Sequence, residues 1–162
     1  MTALVEFPPP NHDHAACAAH AIVEASKVCD SRGIRLTDIR RRVLEAIWDS
    51  HAPIGAYDIL AKLNSGGGRS APMAVYRALD FLIENGLAHR IDSRNAFIGC
   101  SHPTKAHRAQ FLICRDCGAV AEIASRKLVD SVRRTARTKG FEVDDVVIEA
   151  SGRCPLCTRG KQ

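Results

Sequence analysis

Two Cys-x-x-Cys pairs, Cys114-Arg-Asp-Cys117 and Cys154-Pro-Leu-Cys157, bracket one stretch of this 162-residue chain. A two-residue spacer lets both thiolates of a pair reach one ion. Two pairs close a tetrahedral sulfur shell, the geometry of structural zinc. Thirty-six residues lie between Cys117 and Cys154, more than a simple zinc ribbon holds. The pairs are therefore expected to clasp the two ends of a small domain. Disulfides are the competing use of seven cysteines. A secreted framework usually has an even count, and paired C-x-x-C in a reducing compartment favours metal.

No apolar run approaches the roughly 18 residues of a membrane helix. The N-terminus, MTALVEFPPPNHDH, lacks the basic and apolar regions of a secretory signal. A soluble, cytoplasmic protein with no membrane partner is expected. The net charge of +5 permits nucleic acid as a partner. Its distribution does not point there directly. Residues 1–92 hold 10 basic and 11 acidic residues, net −1, whereas residues 93–162 hold 13 and 7, net +6. Any claim on DNA must rest on local pattern.

Residues 1–14 read as a flexible tail. An Ala-rich helix over 15–31 follows. A second helix is capped by Thr37 or Asp38 and carries Ile39, Val43, Ile47 and Trp48 at helical spacing. A third, short helix has Tyr57, Ile59, Leu60 and Leu63 as its apolar positions, and Ser65–Gly68 is a flexible turn. The next helix starts at Pro72, stops at Asn85-Gly86 and carries the stripe Val75, Leu79, Leu82 and Ile83. Strands at Leu87–Ile91 and Ala96–Cys100 flank the polar tip Asp92–Asn95. Helices followed by a hairpin are the order of a winged helix-turn-helix. Beyond a hinge at 101–105, strands Gln110–Cys114 and Ala119–Ala124 precede a helix from Ser125 to about Thr138. A long strand, Phe141–Ala150, then leads to the second cysteine pair. The expected fold class is α+β, with a winged helix over 15–100 and a zinc-stapled α/β domain over 106–162.

On the helix after Pro72, Arg77 points away from the apolar stripe and Tyr76 flanks it. A hydroxyl donor beside a guanidinium suits phosphates or base edges. Arg35, Arg40, Arg41 and Arg42, near the second helix start, are further candidates for backbone phosphates. Equally, this is the pattern of an amphipathic helix in a small bundle with a solvated Arg77.

Setting the cysteine pairs aside leaves His89, Cys100, His107 and Glu122. Imidazole, thiolate and carboxylate all bind zinc. Their spacing alone is unremarkable: a wing His is ordinarily solvated and a lone Cys is ordinarily a small core residue. His102 is a substitute ligand or a solvated neighbour. His12, His14, Cys17, His20 and Cys29 read as a tail and an ordinary helix.

Ala74-Val-Tyr-Arg-Ala-Leu-Asp80, then Gly86-Leu87 and Ser93-Arg-Asn-Ala-Phe97, together with the paired C-x-x-C, resemble the ferric-uptake-regulator superfamily, most closely its zinc-uptake-regulator branch. The resemblance spans about Leu36 to Cys157. It implies that Tyr76 and Arg77 contact DNA and that the second domain dimerises. It implies a regulatory zinc on His89, Cys100, His107 and Glu122, beside a structural zinc on Cys114, Cys117, Cys154 and Cys157. That makes two ions per subunit. A dimer would read a pseudo-palindromic operator. The expected function is zinc-dependent repression of zinc-uptake genes. The alternatives are a relative sensing another metal or thiol oxidation, and a zinc-dependent enzyme. His107-Arg-Ala109 lacks the second ligand of iron- and peroxide-sensing relatives, which favours zinc. A zinc deaminase needs His-x-Glu and Pro-Cys-x-x-Cys. The chain has neither, since Pro155 follows Cys154. Cys100 with His102 or His107 lacks a group to orient it for nucleophilic catalysis.

Overall fold

The computed structural model describes residues 7, 13–66, 68–104 and 109–159. His107, His12, nearly all of the expected tail and part of the 101–105 hinge lie outside the described residues. Helix α1 (His14–Ser31) starts within the expected tail, because the Asp13 carboxylate accepts hydrogen bonds from the Ala15 and Ala16 N–H groups at 2.9 and 3.1 Å. Ala21, Ile22, Ala25, Val28 and Cys29 form its buried face. Helices α2 (Asp38–Trp48), α3 (Ala56–Ser65) and α4 (Pro72–Glu84) bury Val43, Leu44 and Ile47, then Ile59 and Leu63, then Val75, Ala78, Leu79 and Leu82. These faces meet in one core. Tyr57 departs from expectation: it is 78% exposed on the first turn of α3 and adds nothing to that core. Neither Thr37 nor Ser125 makes a capping bond through its side chain, although each occupies the N-cap position.

Gly86, at φ +69°, turns the chain out of α4, and the Leu87 N–H donates back to the Leu82 carbonyl at 2.8 Å. The wing follows as antiparallel strands β1 (Ala88–Ile91) and β2 (Ala96–Gly99). A 3-10 turn at Asp92–Arg94 and a left-handed Asn95 join them. Gly99 is required by a close approach: a Cβ there would fall inside the Trp48 indole of α2.

The second unit contains β3 (Gln110–Cys114), β4 (Val120–Ile123), helix α5 (Arg126–Arg137), β5 (Glu149–Gly152) and helix α6 (Pro155–Arg159). Its sheet has the order β4-β3-β5, with β4 antiparallel and β5 parallel to β3. Of the long strand expected over Phe141–Ala150, only Glu149 and Ala150 are in β5, which runs on to Gly152. β3 is only five residues long, so it pairs with four residues of its neighbour. Glu142-Val-Asp-Asp-Val-Val147 also lacks the alternation that would bury one face. Helix α6 was not anticipated. Phe111, Ile113 and Val120 pack with Ile91, and Ile98 of the wing lies against them. The wing therefore rests on the face of the second sheet.

Candidate metal centres and nucleic-acid interface

Cys114 ends β3 and Cys117 lies in the turn to β4. Cys154 immediately precedes α6, and Cys157 sits within it. The parallel register pairs Cys114 with Gly152 and so delivers the second pair to the first. All four sulfurs lie within 4.8 Å of one another. The Cys117 and Cys154 sulfurs are 3.8 Å apart. That is no disulfide, whose bond is about 2.05 Å. It matches the edge, about 3.8 Å, of a tetrahedron with metal–sulfur bonds of about 2.3 Å. The Cys154 N–H donates to the Cys114 sulfur at 3.3 Å, and the Cys157 N–H to the Cys154 sulfur at 3.5 Å. The Cys154 N–H, foremost, holds the Cys114 thiol down to about 6. The Cys154 side chain, foremost, pushes Cys157 up to about 12. One thiolate is welcome among four sulfurs and further ones repel. A divalent cation removes that repulsion, so the cluster fits zinc.

A second group gathers at the seam between wing and sheet. His89 is on β1, Cys100 directly follows β2, and Glu122 is on β4. The Cys100 N–H donates to the Leu87 carbonyl at 3.1 Å. This extends the wing ladder by one rung and puts Cys100 on the same face as His89. The ligand atoms of His89, Cys100 and Glu122 all lie within 4.8 Å of one another. His89 Nε2 is 3.4 Å from Glu122 Oε1, and Glu122 Oε2 accepts from the Ser101 N–H at 3.1 Å. Burial, and then the Glu122 carboxylate, push the Cys100 thiol up to about 12. A bound dication would offset both effects. One nitrogen, one sulfur and one oxygen ligand suit zinc. The expected fourth ligand, His107, lies outside the described residues. His102 is exposed, and Cys29 is a core residue of the helical unit.

Tyr76 and Arg77 are exposed on α4, Arg77 opposite its buried stripe and Tyr76 at the flank. Arg35 and Arg41 are exposed as well. Arg40 and Arg42 are engaged within the fold. Arg40 donates to the Arg35 carbonyl and stacks 3.5 Å above the Phe81 ring, while Arg42 donates to the Leu63 carbonyl at 2.8 Å. Arg35, before α2, and Arg41, on it, remain the exposed candidates for phosphate contacts. Gly99 and Glu149 carry no local signal in the sequence, because their roles depend on Trp48 and on the wing tip, both distant along the chain.

Helices followed by a wing, with two side-chain clusters able to hold a metal ion, are the features of a winged-helix metalloregulator. The chain belongs to the ferric uptake regulator family, whose profile matches residues 31–151. It is a regulator, not an enzyme. It is 37% identical to the zinc uptake regulation protein of Escherichia coli over 139 residues, 84% of this chain and 80% of that one. A solved zinc uptake regulator complexed with zinc and DNA superposes with a TM-score of 0.81 at 34% identity, covering 89% of this chain and 97% of that one. Holo XcZur gives 0.78 at 36% identity, with 88% and 99% covered. Apo XcZur gives only 0.52 at 39% identity, with 87% and 97% covered.

Proposed function

We propose that this protein is a zinc-responsive transcriptional repressor, binding operator DNA when zinc-loaded and controlling zinc-uptake genes from the cytoplasm. The observation that carries this reading is the His89, Cys100 and Glu122 cluster. Two of its members belong to the wing and one to the second sheet. A ligand set divided across a seam couples metal occupancy to the angle of the reading head. The likeness to a holo rather than an apo relative, at similar identity, supports assigning this shape to the loaded form. His107 is the proposed fourth ligand. Cys114, Cys117, Cys154 and Cys157 are the proposed structural site, making two ions per subunit.

Zinc, when bound, supplies a divalent charge that accepts imidazole, thiolate and carboxylate together. Cys100 gives up its proton on ligation. Glu122 keeps its bond to the Ser101 N–H and fixes the start of the hinge. His89 anchors the wing. The coupling strength equals the preference of these side chains for the DNA-competent arrangement over others. Tyr76 and Arg77 enter the major groove, and Arg35 and Arg41 meet phosphates. A homodimer presents two such heads to a pseudo-palindromic operator. Exposed apolar side chains in the second unit, Leu128, Val132, Phe141 and Val147, supply material for that interface. No helix among the described residues is long and apolar enough to cross a membrane.

The test is operator binding against buffered free zinc, iron and manganese. Zinc alone should induce binding at physiological levels. Equal activation by iron or manganese overturns the zinc assignment and leaves the family intact.

A further inference from the structure

Glu149, the first residue of β5, grips the tip of the wing. Its Oε1 accepts from the Asp92 N–H at 2.6 Å and its Oε2 from the Ser93 N–H at 3.1 Å. These are the leading N–H groups of the 3-10 turn, donors that a short helix cannot satisfy internally. A carboxylate binding two consecutive backbone donors makes charge-assisted bonds, the stronger kind. The two bonds span 57 and 56 residues of chain, so they join units and not neighbours.

The register explains how the grip is aimed. Phe111 of β3 lies opposite Glu122 of β4 on one side and opposite Glu149 of β5 on the other. Directly paired residues project to the same sheet face. Glu122, Phe111 and Glu149 therefore form one rung beneath the wing. Glu122 meets the wing base at His89 and the Ser101 N–H. The Phe111 ring lies 5.5 Å from the His89 ring. Glu149 holds the tip. Burial pushes the Glu149 carboxyl up, but the Ser93 side chain and the two N–H groups outweigh it and keep the group below the ordinary carboxylate range.

We propose that Glu149 is a positioning residue of the zinc response: a latch, independent of metal, that holds the wing on the second sheet and keeps His89 and Cys100 facing Glu122. The inference rests on the zinc-responsive reading. Its consequence is reciprocal coupling. A latch that favours the ligand-gathered arrangement raises zinc affinity at the seam and operator affinity together. It leaves the four-cysteine site unaffected.

Two measurements on the full-length protein test this. In metal-free seam sites, amide hydrogen exchange at Asp92 and Ser93 should speed up at least tenfold in Glu149→Ala. Competition with a zinc chelator should give about tenfold weaker binding of Zn²⁺ at the seam, with one tightly held structural equivalent retained. Glu149→Gln keeps one neutral acceptor and should fall between wild type and Ala in both readouts. If circular dichroism finds Glu149→Ala unfolded, the Gln variant carries the test. Wild-type exchange rates and wild-type zinc affinity in the folded variant overturn the latch. Faster exchange with unchanged zinc affinity also overturns it, reducing Glu149 to a local cap. Absence of any zinc-dependent operator binding in wild type would instead overturn the functional reading, while the exchange measurement still reports on the grip itself.

Discussion

Among the described residues, sixteen buried side chains make one contiguous core in the winged-helix unit, Ala88 and Phe97 of the wing included, whereas Phe111, Ile113 and Val120 of the second unit share their cluster with Ile91 from the wing. The first unit can hold itself together by apolar burial. The second has less apolar surface to bury by itself, and the core of so small a unit rarely supplies more than about 3–5 kcal/mol. A structural zinc contributes about 10–16 kcal/mol at neutral pH. The comparison shows why one half needs a permanent staple. It also shows why the junction between halves suits regulation, since a surface shared by a self-sufficient unit and a dependent one responds to a modest binding energy.

The largest effect should come from breaking the staple. Cys154→Ser, or exhaustive chelation, should unfold the second unit and leave the α1–α4 amides protected in hydrogen exchange. Uniform loss of protection across the chain would contradict the division. Next is Leu79→Ala in the helical core, expected to cost about 2–5 kcal/mol of stability. Denaturant unfolding should detect it with the four-cysteine zinc still in place. Gly99→Ala drives a methyl group against Trp48 and should cost about 1–3 kcal/mol. It should also displace neighbouring Cys100 and weaken zinc binding at the seam. A stable variant with unchanged seam affinity would remove Trp48 from the design of the site.

Taken per unit of pH, the last effect is about 1.4 kcal/mol. In the proposed seam site, ligation would take the proton from Cys100, whose thiol burial pushes up to about 12. Below that value the thiol is protonated when free, so binding releases one proton from it. Seam affinity should therefore rise with pH, by about tenfold per unit for this proton between pH 6 and 8. Cys100→Ser should lose that slope component.

Period and punctuation in the sequence made the helical half readable. The stripe Val75, Leu79 and Leu82, Pro72 at the start of α4 and Gly86 at its exit all act locally. The second half was less legible. Phe141–Ala150 is rich in Val, yet its pairing is limited by the length of β3, which no local pattern reports. Tyr57 had the spacing of a core residue and is exposed. The cysteine pairs declared themselves through spacing alone. By contrast, His89, Cys100 and Glu122 are drawn from three strands or strand ends, and only family likeness singled them out. Glu149 was invisible for the same reason, since its partners lie 56 and 57 residues away.

The most direct measurement is operator binding against buffered free zinc, in wild type and in Cys100→Ser, with zinc content determined for each. The seam switch predicts two equivalents per wild-type subunit, one in the variant, and loss of zinc-dependent operator binding in a variant that remains folded. A variant retaining the wild-type zinc response would contradict the assignment of the switch to the seam between wing and second sheet.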